Sequence, residues 1–353
     1  MSQSAYARAG VDIEAGDAAV ELMKAHVART TRPEVLGGIG GFAGLFDASK
    51  LASYRHPLLA TSTDGVGTKV AIARAMDVHN TIGWDLVGML VDDLVVCGAE
   101  PLFLTDYIAC GHVEPTRIAS VVEGIADACV AAGCALLGGE TAEHPGLMAP
   151  DEYDIAGATT GVVEADELLG PDRVRAGDVA LAMAASGLHS NGYSLVRHVL
   201  LDQAGMSLDS QPDALGRSLG EELLEPTHVY AGEVMKLLAS VTVHAMSHIT
   251  GGGLANNLAR VLPAGMRVEI DRASWRPAPI FELVQATGKV PQADIEATLN
   301  MGVGMVALLP ADQVDAAQRL LAGLGLHSWA CGHVLAAGDE PAQVVLNGAH
   351  PTD

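Results

Sequence analysis

The stretch Thr61-Ser62-Thr63-Asp64-Gly65-Val66-Gly67-Thr68-Lys69 gathers a carboxylate, two glycines, hydroxyls and an amine into nine residues. It follows Pro57-Leu58-Leu59-Ala60, an apolar run that reads as a buried strand. Apolar periodicity resumes at Val70-Ala71-Ile72-Ala73, so the stretch reads as a strand-to-helix turn. Glycines at such a turn let backbone N–H groups approach a ligand closely, and a helix N-terminus favours anions. Asp64 could hold a metal and Lys69 could face a phosphate. The same residues also fit a tight turn with a solvated lysine. The G-x-x-x-x-G-K-[ST] spacing of a P-loop is absent.

Three further clusters carry chemistry. Thr81 to Val96 reads as a helix that is apolar almost all round, with Asp85 and Asp92 on one stripe and Asp93 about a quarter-turn away. Carboxylates on a buried helix are costly unless paired or bound to a cation. Glu140 and Glu143 follow the double glycine Gly138-Gly139. Their spacing alone does not support a glycosidase pair. Carboxylates near glycine-rich turns suit Mg²⁺, which takes hard oxygen ligands and shares phosphates, and no thiol or paired-histidine pattern for zinc occurs. In the second half, His189-Ser190-Asn191-Gly192 and His248-Ile249-Thr250-Gly251-Gly252-Gly253 each open a glycine-containing turn that begins a helix, and Ser190 is a candidate N-cap. Arg32 and Lys24 lie near Gly37-Gly38-Ile39-Gly40-Gly41-Phe42-Ala43-Gly44, a run with five glycines in eight residues. Its interspersed apolar residues suit a flap that orders against a nucleotide, or a buried structural loop. The residues by themselves point to an Mg²⁺–nucleotide enzyme of phosphoryl or adenylyl transfer and leave the acceptor open.

The elements that must position these groups alternate. Strands are expected at 57–60, 101–109, 134–137, 153–163, 178–183, 243–247, 267–270, 304–309 and 343–346. Helices are expected at about 17–28, 81–96, 115–132, from the Ser186–Tyr193 turn to about 201, and at 227–239, 254–262 and 312–324. This alternation is that of an α/β or α+β protein. The charged, Gly-Pro-containing stretch from Ala165 to Gly177 marks a domain boundary. The expected division is an N-terminal segment with the flap (1–56), an N-terminal domain (57–167) and a C-terminal domain (175–347). Polar, glycine-rich turns at strand ends in both halves suggest one shared cleft.

Composition narrows the class. The chain has 353 residues, 49% hydrophobic and 18% charged, a globular balance with material for more than one core. A formal net charge of −23 argues against a nucleic-acid partner, which needs a basic surface. The cysteines Cys97, Cys110, Cys129, Cys134 and Cys331 are odd in number and form no C-x-x-C pair, which suits a reducing compartment. Met1 to Tyr6 lacks the regions of a signal peptide, and no apolar run reaches the ~18 residues of a membrane span. A cytoplasmic protein without a membrane partner is expected.

Taken in order, the motifs resemble a known family. Ala9-Gly10-Val11-Asp12-Ile13, Arg32-Pro33-Glu34-Val35, Gly37 to Phe42, Thr63 to Lys69, Gly98-Ala99-Glu100-Pro101, Gly138 to Glu143, His189 to Tyr193, His248 to Gly253 and Met301-Gly302-Val303-Gly304-Met305 are similar to those of phosphoribosylformylglycinamidine cyclo-ligase, also called AIR synthetase. The match covers nearly the whole chain, although Asp64 to Lys69 alone is shared with relatives that use ATP differently. The resemblance implies a two-domain α/β (α+β) fold whose N-terminal domains pair into a homodimer through a barrel-like interface, here from strands 57–63, 101–109 and 153–163. It implies ATP-dependent closure of formylglycinamidine ribonucleotide to aminoimidazole ribonucleotide in purine biosynthesis. The formyl oxygen attacks the γ-phosphate, and the amidine nitrogen then displaces phosphate from an iminophosphate.

By position, the resemblance makes Asp64, Asp93 and Glu140 metal or phosphate-side carboxylates. Lys69 stabilises the transferred phosphoryl group. Gly37, Gly38, Gly40, Gly41, Phe42 and Gly44, with Asp64, Gly65, Gly67 and Thr68, hold ATP. Ser190, Asn191, Thr250, Gly251 and Gly252 hold the substrate, while His189 and His248 are catalytic, His248 as the candidate for proton handling. Where the family usually has Asn-Asp, this chain has Asp92-Asp93. The rivals are related ATP enzymes of the selenophosphate synthetase, thiamine-phosphate kinase or hydrogenase-maturation type, and a non-enzymatic nucleotide sensor. The first needs a reactive residue near the N-terminus, whereas the earliest cysteine here is Cys97.

Overall fold

The computed structural model describes residues 10–38 and 40–351, so the readings on Met1 to Ala9 and on Ile39 fall outside the described residues. The chain divides into two compact units. One holds residues up to Leu94 together with Ala99–Ala165; the other holds Val95–Gly98 and the residues from Asp166 onward.

The first unit is built on a four-stranded sheet in the order β3-β6-β4-β5, with β3 Pro57–Gly65, β4 Glu100–Cys110, β5 Ala135–Glu143 and β6 Tyr153–Glu164. β6 is antiparallel to both β3 and β4, whereas β4 and β5 run parallel. Two helices cover one face, α3 (Asn80–Val95) and α4 (Pro115–Ala132). On α3, Leu86, Leu90 and Leu94 recur every four residues and so share a stripe. They press on Gly157 and Gly161 of β6, where a Cβ would stand 2.7 Å from Leu90 Cδ1 and 3.1 Å from Leu94 Cδ1. Where α3 meets α4, a Cβ on Gly83 would run into the backbone of Gly124 and Ile125, and one on Gly124 into the carbonyl of Asn80.

The ends of α4 follow from its sequence. Glu114 accepts from the N–H groups of Thr116 and Arg117, Pro115 occupies the first turn, and Gly133 follows at φ 68°. The N-terminal helix α1 (Ile13–Arg29) starts earlier than periodicity alone indicates, because Asp12 caps it by accepting from Ala15 N at 3.0 Å. The backbone N–H of Asp12 donates in turn to Glu143 Oε2 at 2.6 Å, while Glu143 Oε1 accepts from Val113 N at 2.6 Å. Glu143 is therefore a structural clamp for the N-terminal helix.

Two local readings are corrected by the sheet. Thr61 to Gly65 is not a turn but the second half of β3, paired with β6 as far as Gly65↔Ala156. Thr61 and Thr63 read as loop residues because they point from an exposed sheet face. Glu140 and Glu143 likewise lie within β5. The glycine-rich run joins two short antiparallel strands, β1 (Val35–Leu36) and β2 (Leu45–Phe46), and Phe46 packs on Phe103 with ring centroids 5.2 Å apart.

The second unit is a six-stranded sheet in the order β12-β9-β11-β7-β10-β8. Its strands are β7 Val179–Ala184, β8 Ala245–His248, β9 Met266–Asp271, β10 Val303–Leu309, β11 Ser328–Ala336 and β12 Gln343–Asn347. All neighbours are antiparallel except β12 and β9. Every residue of β10 is buried, as a central strand covered on both sides requires. Val268, Ile270, Leu254, Leu258, Val306 and Leu308 belong to the core. β11 escapes the periodicity because a register shift between Ala330 and Gly332 breaks its alternation. The expected cap at Ser190 is replaced by Gly192 at φ 77°, and the helix begins at Tyr193.

One half-buried carboxyl in the first sheet has a measurable consequence. Asp106 lies in register with Gly139 on β5 and Gly157 on β6, and its carboxyl fills space that a Cβ on Gly139 would occupy. Burial pushes this carboxyl up to about 7. The folded chain therefore holds a proton that the unfolded chain releases between the ordinary aspartate range and pH 7, so stability falls as pH rises through that window. Asp106→Asn removes the dependence. The stability of the variant relative to the native chain should rise by on the order of 2 kcal/mol from pH 5 to pH 8 in urea titrations, and a constant difference would contradict the assignment.

Candidate functional site

In the first unit the sheet register decides which carboxylates can act together. Asp64, Gly157, Asp106 and Gly139 form one row across the four strands, and Gly65, Ala156, Tyr107 and Glu140 form the next. Adjacent rows project to opposite faces. Asp64 thus belongs to the row that faces the helices, and Glu140 to the row of Tyr107 on the opposite, exposed face. The two also sit on opposite edge strands, three strand spacings or roughly 14 Å apart. Within one chain they do not share an ion. Asp64 and Asp93 are both exposed, as is Glu140, and Asp64 Oδ1 accepts from Gly65 N at 2.7 Å. Among the described residues no three acidic, histidine or cysteine side chains converge into a ready-made metal site. A magnesium ion shared with nucleotide phosphates needs only one or two carboxylates, and Asp64 and Asp93 are exposed carboxylates.

Lys69 is placed differently from the sequence expectation. It closes a short 3₁₀ turn (Gly67–Lys69) at the start of α2 (Val70–Met76). Its Nζ donates to Asp85 Oδ1 at 2.8 Å, and both side chains are 0% exposed. Asp92 is buried as well, while Asp93 is not. The stripe of acidic residues on α3 is therefore divided between an internal ion pair and an outward carboxylate. Gly65 ends β3 half-exposed, Gly67 and Thr68 are exposed in the 3₁₀ turn that follows, and Phe42 is fully exposed in the loop between β1 and β2, with Gly37, Gly38, Gly40, Gly41 and Gly44 around it.

In the second unit two motif turns distant in sequence come together. A Cβ on Gly251 would lie 3.4 Å from Asn191 Oδ1, so the turn after β8 touches the turn after β7. His189 adopts φ 59°, a left-handed conformation uncommon for a residue with a Cβ. Its Nε2 accepts from Ser186 N at 3.2 Å, which leaves the proton of the neutral ring on Nδ1. His189 and Tyr230 pack over Gly304, where a Cβ would stand 2.7 Å from His189 Cε1. His248 ends β8 and pairs with Met305, so it is a strand residue and not the first residue of the turn. His189, Ser190 and His248 are all buried, and Thr250 is half-buried.

Asn257 escaped the sequence reading. It is 3% exposed, and its Nδ2 donates to the carbonyls of Thr250, Gly251 and Gly253 at 3.2, 3.2 and 2.9 Å. Its amide gathers the turn's acceptors on one side. The signal that could have exposed it is its position four residues after Gly253, in the first turn and a half of the helix Gly253–Ala259. Tyr230, whose hydroxyl donates to Ala184 O at 2.7 Å, has no such motif around it.

Residues 47–163 match the N-terminal domain, and residues 175–345 the C-terminal domain, of AIR synthase related proteins. Both halves of the chain therefore fall in this class of two-domain proteins. Phosphoribosylformylglycinamidine cyclo-ligases from Geobacillus thermodenitrificans and Brevibacillus brevis are 55% and 50% identical to it, over 86% and 98% of this chain and 87% and 98% of their own. The chain belongs to the phosphoribosylformylglycinamidine cyclo-ligase family, ATP-dependent ligases of purine biosynthesis. A thiamine-monophosphate kinase structure from Stenotrophomonas maltophilia shares the fold at a TM-score of 0.68 and 22% identity, over 95% of this chain and 97% of its own.

The buried Lys69–Asp85 pair makes a clear forecast. Lys69→Met strands a buried carboxylate and should cost about 3–5 kcal/mol of stability, and Lys69→Met with Asp85→Leu should recover most of it. Thermal unfolding of the single and double variants checks this. A single variant with native stability and lost turnover would instead place Lys69 against the phosphoryl group.

Proposed function

We propose that this chain converts formylglycinamidine ribonucleotide to 5-aminoimidazole ribonucleotide, consuming ATP and releasing ADP and phosphate through an iminophosphate. The reading is carried by the meeting of Asn191 with Gly251 beside His189, because turns expected to hold substrate converge although they lie about sixty residues apart. The chemistry needs this division of labour. An amide oxygen leaves poorly and a phosphate well, so activation by ATP must precede ring closure. Charge on the transferring group must also be neutralised.

In this reading the first unit serves ATP. The loop Gly37–Gly44 covers the nucleotide, and Gly65, Gly67 and Thr68 offer backbone and hydroxyl groups to it. Asp64 and Asp93 are the candidates for Mg²⁺, which when bound neutralises phosphate charge. Glu140 projects from the sheet face that also exposes Leu59 (63%) and Tyr107 (42%). We assign that face to pairing of two copies, which would bring Glu140 into the neighbourhood of a second chain. Lys69 reaches the phosphoryl group only if its pair with Asp85 opens, so its contribution is proposed as indirect, through the placement of α2 and α3. In the second unit, Ser190, Asn191, Thr250, Gly251 and Gly252 hold the ribonucleotide, while His189 and His248 handle protons. Among the described residues no helix is long and apolar enough to cross a membrane.

A coupled assay tests the activity: ATP should be consumed only with formylglycinamidine ribonucleotide, and aminoimidazole ribonucleotide should appear with it. ADP release without a ring-closed product would sink the reading. Asp93→Asn should raise the Mg²⁺ concentration needed for half-maximal turnover, and an unchanged titration would move the metal to another carboxylate. Leu59→Glu on the exposed sheet face should shift the chain from dimer to monomer in light scattering. A dimer that survives it would exclude that face.

A further inference from the structure

The segment Glu296 to Asn300 touches both turns assigned to the ribonucleotide. A Cβ on Gly253 would run into the carbonyl oxygen of Glu296, so the turn after β8 lies flush against this backbone. A Cβ on Gly192 would meet Leu299 and Thr298, and Asn300 Nδ2 donates to Gly187 O at 3.0 Å, so the turn after β7 rests on the same segment. Asn300 Oδ1 also accepts from Gly302 N at 2.8 Å, which ties the segment to the Met301–Met305 motif.

At its start this segment is anchored by the Glu296 side chain. Glu296 ends the five-residue helix Gln292–Glu296, which is too short to hold its own position. Arg272, just past β9, grips Glu296 bidentately, Nε to Oε1 at 2.6 Å and Nη2 to Oε2 at 2.7 Å. Gln292 adds a third hydrogen bond to Oε1 at 2.7 Å. Burial would raise the Glu296 carboxyl, but the bonds from Arg272 and Gln292 outweigh it and hold the group below its ordinary value. A bidentate, charge-assisted pair of this kind fixes orientation as well as distance.

The C-terminal segment closes the arrangement from the other side. The third guanidinium nitrogen, Nη1, donates to Leu346 O at 2.5 Å and Gly348 O at 3.3 Å. His350 lies 3.1 Å through Nδ1 from Arg272 O and 3.3 Å from Trp275 O, so Nδ1 carries the hydrogen. Its ring stands edge-on to Trp275 at 4.6 Å, and its Nε2 faces Glu296 Oε1 at 3.8 Å. Trp275 in turn donates to Met301 O at 2.9 Å. A cavity of about 690 Å³ borders Arg272, Gln292, Met301 and His350.

We propose that Arg272 and Glu296, closed by His350 of the C-terminal segment, are positioning residues that hold the turns at His189–Gly192 and Thr250–Gly253 in register for the ribonucleotide. The proposal rests on the assignment of those turns to the substrate. It gives the last residues of the described chain a role in substrate affinity, although none of them lies in a motif turn.

Steady-state kinetics on the full-length enzyme test it, with His350→Ala, Arg272→Gln and a chain ending at Asn347. Each should raise KM for formylglycinamidine ribonucleotide about tenfold, with kcat and KM for ATP changed less than about twofold. Arg272→Lys, which keeps the charge but loses the bidentate grip, should recover only part of the affinity. Should Arg272→Gln fail to fold, His350→Ala and the shortened chain carry the test. Native KM values in folded variants, or equal losses for both substrates, would overturn the proposal. Thr250→Ala and Asn191→Ala run alongside separate the two layers. If they too leave KM for the ribonucleotide unchanged, the assignment of the turns fails and the proposal with it. If they raise KM while the latch variants do not, only the positioning role fails.

Discussion

The first unit depends on one ion pair closed off from solvent. Lys69 and Asp85 are each fully buried, and each offsets the cost of burying the other's charge. The pair joins the turn after β3 to the middle of α3, the helix whose leucines seat on the sheet through Gly157 and Gly161. Such a pair adds little net stability over a well-packed apolar alternative, because desolvation offsets the Coulomb gain. Its effect is directional. It fixes where the exposed end of β3, with Asp64, Gly65 and Gly67, stands relative to the helix that carries Asp93.

The second unit reaches the same end by steric means. Gly304 leaves room for His189 and Tyr230, Gly253 lets its turn lie against Glu296, and Asn257 draws three carbonyls to one side. No single contact is strong. Together they allow two polar turns to sit side by side at strand ends, where a left-handed histidine would otherwise be an uncompensated cost. The first unit thus orders its groups by a buried ion pair, and the second by volume and hydrogen bonds, with the Arg272–Glu296 pair behind them.

The elements most visible in the sequence were those with one apolar face. α4, with its capping glutamate, N-terminal proline and following glycine, starts and ends at the expected residues. The later half of β3 was not visible, since Thr61 and Thr63 point from a sheet face that is open in the single chain, and a polar edge strand looks like a loop. The partner of Lys69 was hidden for the opposite reason: a lysine beside glycines reads as a solvated or ligand-facing amine, and nothing local announces a partner sixteen residues on within an apolar helix. Three of the motif clusters were legible as polar residues at element ends, and the fourth as carboxylates along an apolar helix. Asp64 and Glu140 looked alike in that respect, and only the strand register separates them onto opposite faces. Arg272 and Glu296 left no trace, because a bidentate pair between residues twenty-four apart has no spacing signature.

The crossing of α3 and α4 bears on how this family can vary. A side-chain clash can be relieved by trimming the neighbour, so such positions drift in compensating pairs. At Gly83 and Gly124 the obstacle is main chain, the amide of Ile125 and the carbonyl of Asn80. No substitution shortens a peptide group. The two positions are thus mutually locked without being mutually rescuable: a methyl at either forces the helices apart, and no second change on the facing helix restores the approach. Sequence drift in the first unit must pass around this point, and changes in helix spacing, if they arise, must come from residues elsewhere along the two helices.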